Sequence, residues 1–141
     1  MVDTDLILAK AGSVRKYLGR IDNKRHVDFQ TFASDVDRQD VIMFNLQLAI
    51  QNCADIAAHI VSDEGMGMPA TTNEMFYLLE ENGYLDRNQA EKMVKAAGLR
   101  NLIVHEYGRL DLKRIYDVVN HDMADLNQFL AQIFDSVGIK E

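Results

Sequence analysis

The sequence predicts an all-α fold, an up-down helical bundle forming one domain over residues 1–141. Three observations carry this expectation. Apolar residues recur at spacings of three and four in every long segment, the period of a helix buried along one face. The chain has one proline and no tryptophan, and it is rich in Leu, Ala, Gln, Glu and Lys, all good helix formers. Its 141 residues, 48% of them apolar, suffice for one buried core.

The elements follow in order. Asp3 or Thr4 caps a first helix whose apolar face is Ile7, Ala11, Val14, Leu18 and Ile21, with Asp22-Asn23-Lys24 as its stop. Phe29 and Phe32 mark a short helical turn within residues 24–34. The carboxylates Asp35, Asp37 and Asp40 open the next helix, where they complement the helix dipole. They match no calcium loop. This longest helix spans about 36–62 and carries the stripe Ile42, Leu46, Ala49, Cys53, Ile56 and Ile60. Val41, Phe44, Leu48 and Ala58 add apolar surface on its other faces, which in so small a domain favours a subunit interface. Asn52 and Asp55 interrupt it; Asp55 is either a support for a functional side chain or a surface charge. His59 and Asp63 are too few to make a metal site.

Residues 62–72 form the one clear loop, broken by Gly65, Gly67 and Pro69. Met66 and Met68 suit it either to flank a cleft or simply to turn the corner. Thr72 or Asn73 caps a short helix with Phe76 and Leu79 inward, ending at Gly83. Asp86 and Gln89 have the spacing of a capping box. The helix they open bears Ala90, Met93, Val94 and Ala97, and Gly98 is expected to end or bend it. A last long helix from Asp111 carries Leu112, Ile115, Val119, Leu126, Ile133 and Val137, with His121-Asp122 as a solvent-facing interruption.

Composition narrows the setting. A single cysteine excludes an intrachain disulfide and suits a reducing compartment, so the expected location is the cytoplasm. No apolar run approaches the ~20 residues needed to span a membrane, and the acidic N-terminus lacks a signal-peptide pattern. The net charge of −7 argues against a polyanion partner. Between Arg87 and Arg114, however, seven cations face only Glu91, Glu106 and Asp111. This local excess fits either a focused cationic cleft or solvated helix faces.

Residues 100–107, Arg-Asn-Leu-Ile-Val-His-Glu-Tyr, stand apart. A cation, an imidazole and a phenol fall together in an otherwise apolar segment. On a helix turning about 100° per residue, Arg100 and Tyr107 share one flank, and Asn101 and His105 another. Leu99, Leu102 and Ile103 lie between and face the core. Arg100 and His105 therefore meet at one substrate atom only if the arginine reaches round, the helix bends, or a second copy supplies the other group. The last is favoured. The chemistry suits phosphodiester cleavage in RNA. Histidine can take the 2′-OH proton or protonate the 5′-oxygen, and arginine offers a planar fork to the phosphate. RNA supplies its own nucleophile, so no metal or other cofactor is expected, and the product is a 2′,3′-cyclic phosphate. The plain alternatives are a structural histidine, a capping arginine and a tyrosine that merely packs.

Arg100-x-x-x-x-His105-x-Tyr107 resembles the signature of HEPN domains, in particular HepT-like toxins of toxin–antitoxin pairs. Asn101 beside the arginine, the Asp55–Ala57 run and the order of helices extend the similarity over nearly the whole chain. The resemblance implies a homodimeric, metal-independent endoribonuclease of a type VII-like pair, acting on messenger or transfer RNA. Arg100 and His105 then line a cleft at the dimer interface, with Asn101 and Asp55 in support. It also implies an MntA-like nucleotidyltransferase antitoxin that neutralises the toxin by adding AMP to Tyr107, placing negative charge where the RNA phosphate must sit. Two other readings stay open: a non-catalytic HEPN module that binds nucleotide or a partner, and a purely structural dimerisation bundle.

Overall fold

The computed structural model describes residues 2–140 and is helical throughout, with no strand among them. The order is α1 (Thr4–Arg25), α2 (Phe29–Ser34), α3 (Val36–Asp63), α4 (Thr72–Glu81), α5 (Arg87–His105), a 3-10 turn (Tyr107–Arg109), α6 (Leu112–His121) and α7 (Ala124–Val137). The all-α bundle is as expected.

The helix starts explain much of the acidic composition. Asp3, Asp28, Asp35, Asp86 and Asp111 each place a side-chain oxygen on a backbone N–H of the first turn. Each satisfies a donor that the helix itself leaves unpaired. Asp35 of the acidic trio is thus a cap. Thr71, rather than Thr72 or Asn73, caps α4, and Glu74 reaches back to the Ala70 N–H at 2.6 Å. The connecting loop is therefore shortened to residues 64–71. At the far end α7 stops at Gly138, whose φ of +78° lets the Ile139 N–H return to the Phe134 carbonyl.

α3 is the central element. α1, α4, α5 and α7 pack around it, burying Ile42, Leu46, Ala49, Cys53, Ile56 and Ile60 completely. Met43, Ile50, Ala54, Ala57 and Val61 form a second buried stripe. Being covered on two sides, α3 is long and apolar enough by composition to cross a membrane, yet 56% of its most apolar window is buried inside the bundle. That composition follows from its central position. Much of its excess apolar surface is thus consumed within the chain, while Val41 and Phe44 remain 36% and 57% exposed. Ala58 is exposed as well.

Phe76 of α4 and Phe129 of α7 meet edge to face, centroids 5.9 Å apart, and close the core at one end; such a pair adds about 0.5–1.5 kcal/mol beyond burial. Elsewhere Phe29 and Phe32 of α2 pack on Tyr116 of α6, whose hydroxyl donates to the Val27 carbonyl at 2.7 Å.

Three boundaries differ from expectation. Gly98 neither ends nor bends α5, which runs unbroken to His105; burial of Ala97, Leu99 and Ile103 around it outweighs the ~1 kcal/mol cost of a helical glycine. The last helix is two helices, broken at Asp122-Met123. The Asp86–Gln89 box is half formed: Asp86 accepts from the Gln89 N–H at 2.7 Å, but the Gln89 amide donates instead to the Asp125 carbonyl at 2.8 Å. Gln132 of α7 completes the cap, accepting from the Asp86 N–H and donating to its carboxylate.

Candidate active site

α5 holds the candidate residues at its C-terminal end. Leu99 and Ile103 are buried against the core and fix the rotation of the helix. Asn101, Val104 and His105 are thereby turned to solvent, and Arg100 is half-buried. The helix stops because Glu106 leaves helical geometry at φ −134°, ψ 36°, its N–H still bonded to the Leu102 carbonyl. Tyr107, Gly108 and Arg109 then form the 3-10 turn, closed by the Arg109 N–H on the Glu106 carbonyl at 2.9 Å. Asp111 starts α6 directly afterwards by accepting from the Lys113 and Arg114 N–H groups.

The side chains settle as follows. Arg100 Nη1 donates to Asn101 Oδ1 at 3.3 Å. Arg100 Nε is buried and has no hydrogen-bond partner among the described residues. His105 is exposed in the last turn of α5. Tyr107, 45% exposed, donates its hydroxyl to Asp40 Oδ1 of α3. Partial burial, then the Asp40 hydrogen bond and charge, push its phenol up to about 12. Tyr107, Asp40, Val41, Phe44, Asn45 and Gln47 line an open groove of about 470 Å³.

Arg100 and His105, five residues apart on an unbroken helix, leave it about 140° apart around the axis. No break in the helix brings them together within one chain. Nor does Asp55 reach them. It accepts from Lys10 at 3.2 Å and Gln51 at 2.9 Å, and no hydrogen bond or ion pair joins it to Arg100 or His105 among the described residues. Asp55 is a clamp between α1 and α3, which corrects the expectation that it orients Arg100 or His105. His59 accepts from the Asp3 N–H at 3.0 Å, and no group of three or more metal-ligating side chains occurs among the described residues. The basic stretch is partly neutralised: Arg87 pairs with Glu91, Lys92 with Asp125, and Lys113 with Asp117. Lys95, Arg100, Arg109 and Arg114 have no carboxylate partner among the described residues.

Sequence reasoning missed two residues at this end of the bundle. Asp40 stood only as one of three acids at a helix start. Asn45 is 96% buried in the groove wall, being 4% exposed, and its Oδ1 has no hydrogen-bond partner among the described residues. An amide within the largely apolar Val41–Ile50 run, shared only with Gln47, was the available signal for Asn45. Nothing local signals Asp40, whose partner lies 67 positions away.

Comparison with known proteins converges on one group. The family model described as ribonuclease HepT-like matches residues 14–133. The chain is 32% identical over 126 residues to the mRNA nuclease HepT of Shewanella oneidensis, covering 89% of this chain and 94% of that one. It is 24% identical over 132 residues to the tRNA nuclease HepT of Aphanizomenon flos-aquae, covering 94% and 90%. Its fold matches the tri-AMPylated Shewanella oneidensis HEPN toxin, solved in complex with the MNT antitoxin. The TM-score is 0.86 at 32% identity, covering 93% of this chain and 98% of that one.

Proposed function

Since this chain belongs to the ribonuclease HepT-like family, we propose that it is the toxin endoribonuclease of a toxin–antitoxin pair. It acts as a cytoplasmic homodimer and cuts messenger or transfer RNA without a metal. The observation that carries this reading is that Arg100, Asn101 and His105 lie in the last two turns of α5 and Tyr107 in the 3-10 turn that follows, three of them exposed and none buried in the core. His105 removes the ribose 2′-OH proton or protonates the leaving 5′-oxygen. Arg100, steadied by Asn101, meets the charge that builds on the phosphate oxygens.

A second copy supplies the missing half of the site. The divergence of Arg100 and His105 calls for it, and the exposed apolar side chains Val41, Phe44 and Val104 provide a surface to bury. Tyr107 accepts AMP from a nucleotidyltransferase antitoxin. The relative solved as a tri-AMPylated toxin with an antitoxin supports this, as does the open groove beside the Tyr107 hydroxyl. The added phosphate then repels RNA from the neighbouring Arg100.

The experiment is RNA cleavage by purified protein in EDTA, with wild type beside His105→Ala and Arg100→Ala and with product ends analysed. Cleavage leaving 2′,3′-cyclic phosphates, abolished in both variants, is the expected result. Equal cleavage by the variants, or none by wild type, leaves the second reading, a non-catalytic module that binds nucleotide or a partner. The same divergence of Arg100 and His105 favours that reading if the chain proves monomeric.

A further inference from the structure

We propose that Asp40 is the proton acceptor for Tyr107 when that tyrosine takes up a nucleotide; the inference rests on the reading of Tyr107 as the AMP acceptor. The contact lies within one chain and already has the required form. The Tyr107 hydroxyl donates to Asp40 Oδ1, so the proton to be removed points at a carboxylate. Asp40 has no other hydrogen bond or ion pair among the described residues, whereas its neighbour Asp35 is occupied by capping α3 and by Arg38 at 3.3 Å. Asp40 is exposed on α3 and Tyr107 is 45% exposed, so a nucleotide can approach the phenol oxygen from the side away from Phe44 and the second copy.

The chemistry needs such a group. With its phenol pushed up to about 12, only about one Tyr107 in 10⁵ is a phenolate at pH 7. The neutral phenol must therefore lose its proton during attack. In the step, Tyr107 Oη forms a bond to the α-phosphorus of a nucleoside triphosphate held by the transferase. The bond from that phosphorus to the α,β-bridging oxygen breaks, and pyrophosphate leaves with the electron pair. The phenol proton passes to Asp40 Oδ1 and from there to solvent.

A merely electrostatic or anchoring Asp40 predicts the opposite sign. Its charge makes the phenol less acidic, so removing it would leave Tyr107 as reactive as before or more so. The test uses the full chain with adenosine 5′-phosphorimidazolide, an activated AMP donor that needs no transferase. Labelling of Tyr107 is followed by mass spectrometry for wild type, Asp40→Asn and Asp40→Glu, with circular dichroism of each to check the fold. Variants are compared at each pH, because the donor's imidazole must itself be protonated to leave. The expected result is Tyr107 labelling at least about tenfold slower in Asp40→Asn than in wild type at about pH 6, a ratio that narrows as pH rises and free phenolate takes over, with partial restoration in Asp40→Glu. Equal or faster labelling of Asp40→Asn overturns the role of Asp40 and leaves Tyr107 as the acceptor. Labelling of other nucleophiles but never of Tyr107, in any variant, overturns the acceptor reading and the role of Asp40 with it.

Discussion

Arg100 and His105 stand five residues apart on an uninterrupted helix, which sets their side chains about 140° apart around the axis. Gly98, the one residue placed to bend α5 upstream of them, lies in regular helix. The chain therefore presents an arginine on one flank and a histidine on the other. Two copies related by a two-fold axis can place the arginine of one opposite the histidine of the other.

Phe44 is 57% exposed on α3 although fully apolar, and in the proposed dimer it is covered by the second copy. Phe44→Glu is expected to convert the dimer to monomer in sedimentation and to abolish RNA cleavage. Its helical content should stay near wild type, because little of the ring is buried within its own chain. A variant that remains a fully active dimer would place the interface elsewhere.

Tyr107 titrates late. Its folded phenol is pushed up to about 12 by burial and then by Asp40, against about 10 in an unfolded chain. The folded state therefore holds this proton more tightly. The resulting stabilisation is complete below pH ~10 and is lost as pH rises through the folded value. Ultraviolet titration of wild type beside Tyr107→Phe should assign one late-ionising phenol to Tyr107. Asp40→Asn should return that phenol toward the ordinary range.

The Phe76–Phe129 pair gives a direct test of the core. Phe129 is fully buried against Phe76, so Phe129→Ala should cost about 3–5 kcal/mol in chemical denaturation, from lost burial and the cavity left behind. Cys53 belongs to the same interior at 0% exposure, and burial, then the nearby Asp55 charge, push its thiol far up. It should resist thiol reagents in the native protein and react only on unfolding.

Local pattern carried the helices and failed at specific residues. The stripes Ile7–Ala11–Val14–Ile21 and Ile42–Leu46–Ala49–Cys53 are buried as their spacing requires. The break between α6 and α7 was invisible because Val119 and Leu126, seven residues apart and both buried, keep the helical phase across it. Gly98 misled because glycine reports backbone freedom, while tertiary packing decides whether that freedom is used. Of the candidate site, the segment Arg100–Tyr107 stood out by residue types and spacing, and its family reading came from resemblance. The engagement of Asp55 was only half legible: Gln51 is its neighbour one turn back on α3, while Lys10 comes from α1, 45 positions away. Asp40 was missed because its partner comes from the far end of the chain.

The central claim is a site assembled from two chains, and complementation tests it most directly. His105→Ala and Arg100→Ala, each inactive alone, are mixed, allowed to exchange subunits and assayed on RNA in EDTA. Random exchange makes about half of the dimers mixed, each with one intact and one doubly defective site, so about a quarter of wild-type activity should return. A fully exchanged mixture as inactive as either variant would contradict the account, because the arginine and histidine would then have to act from the same chain.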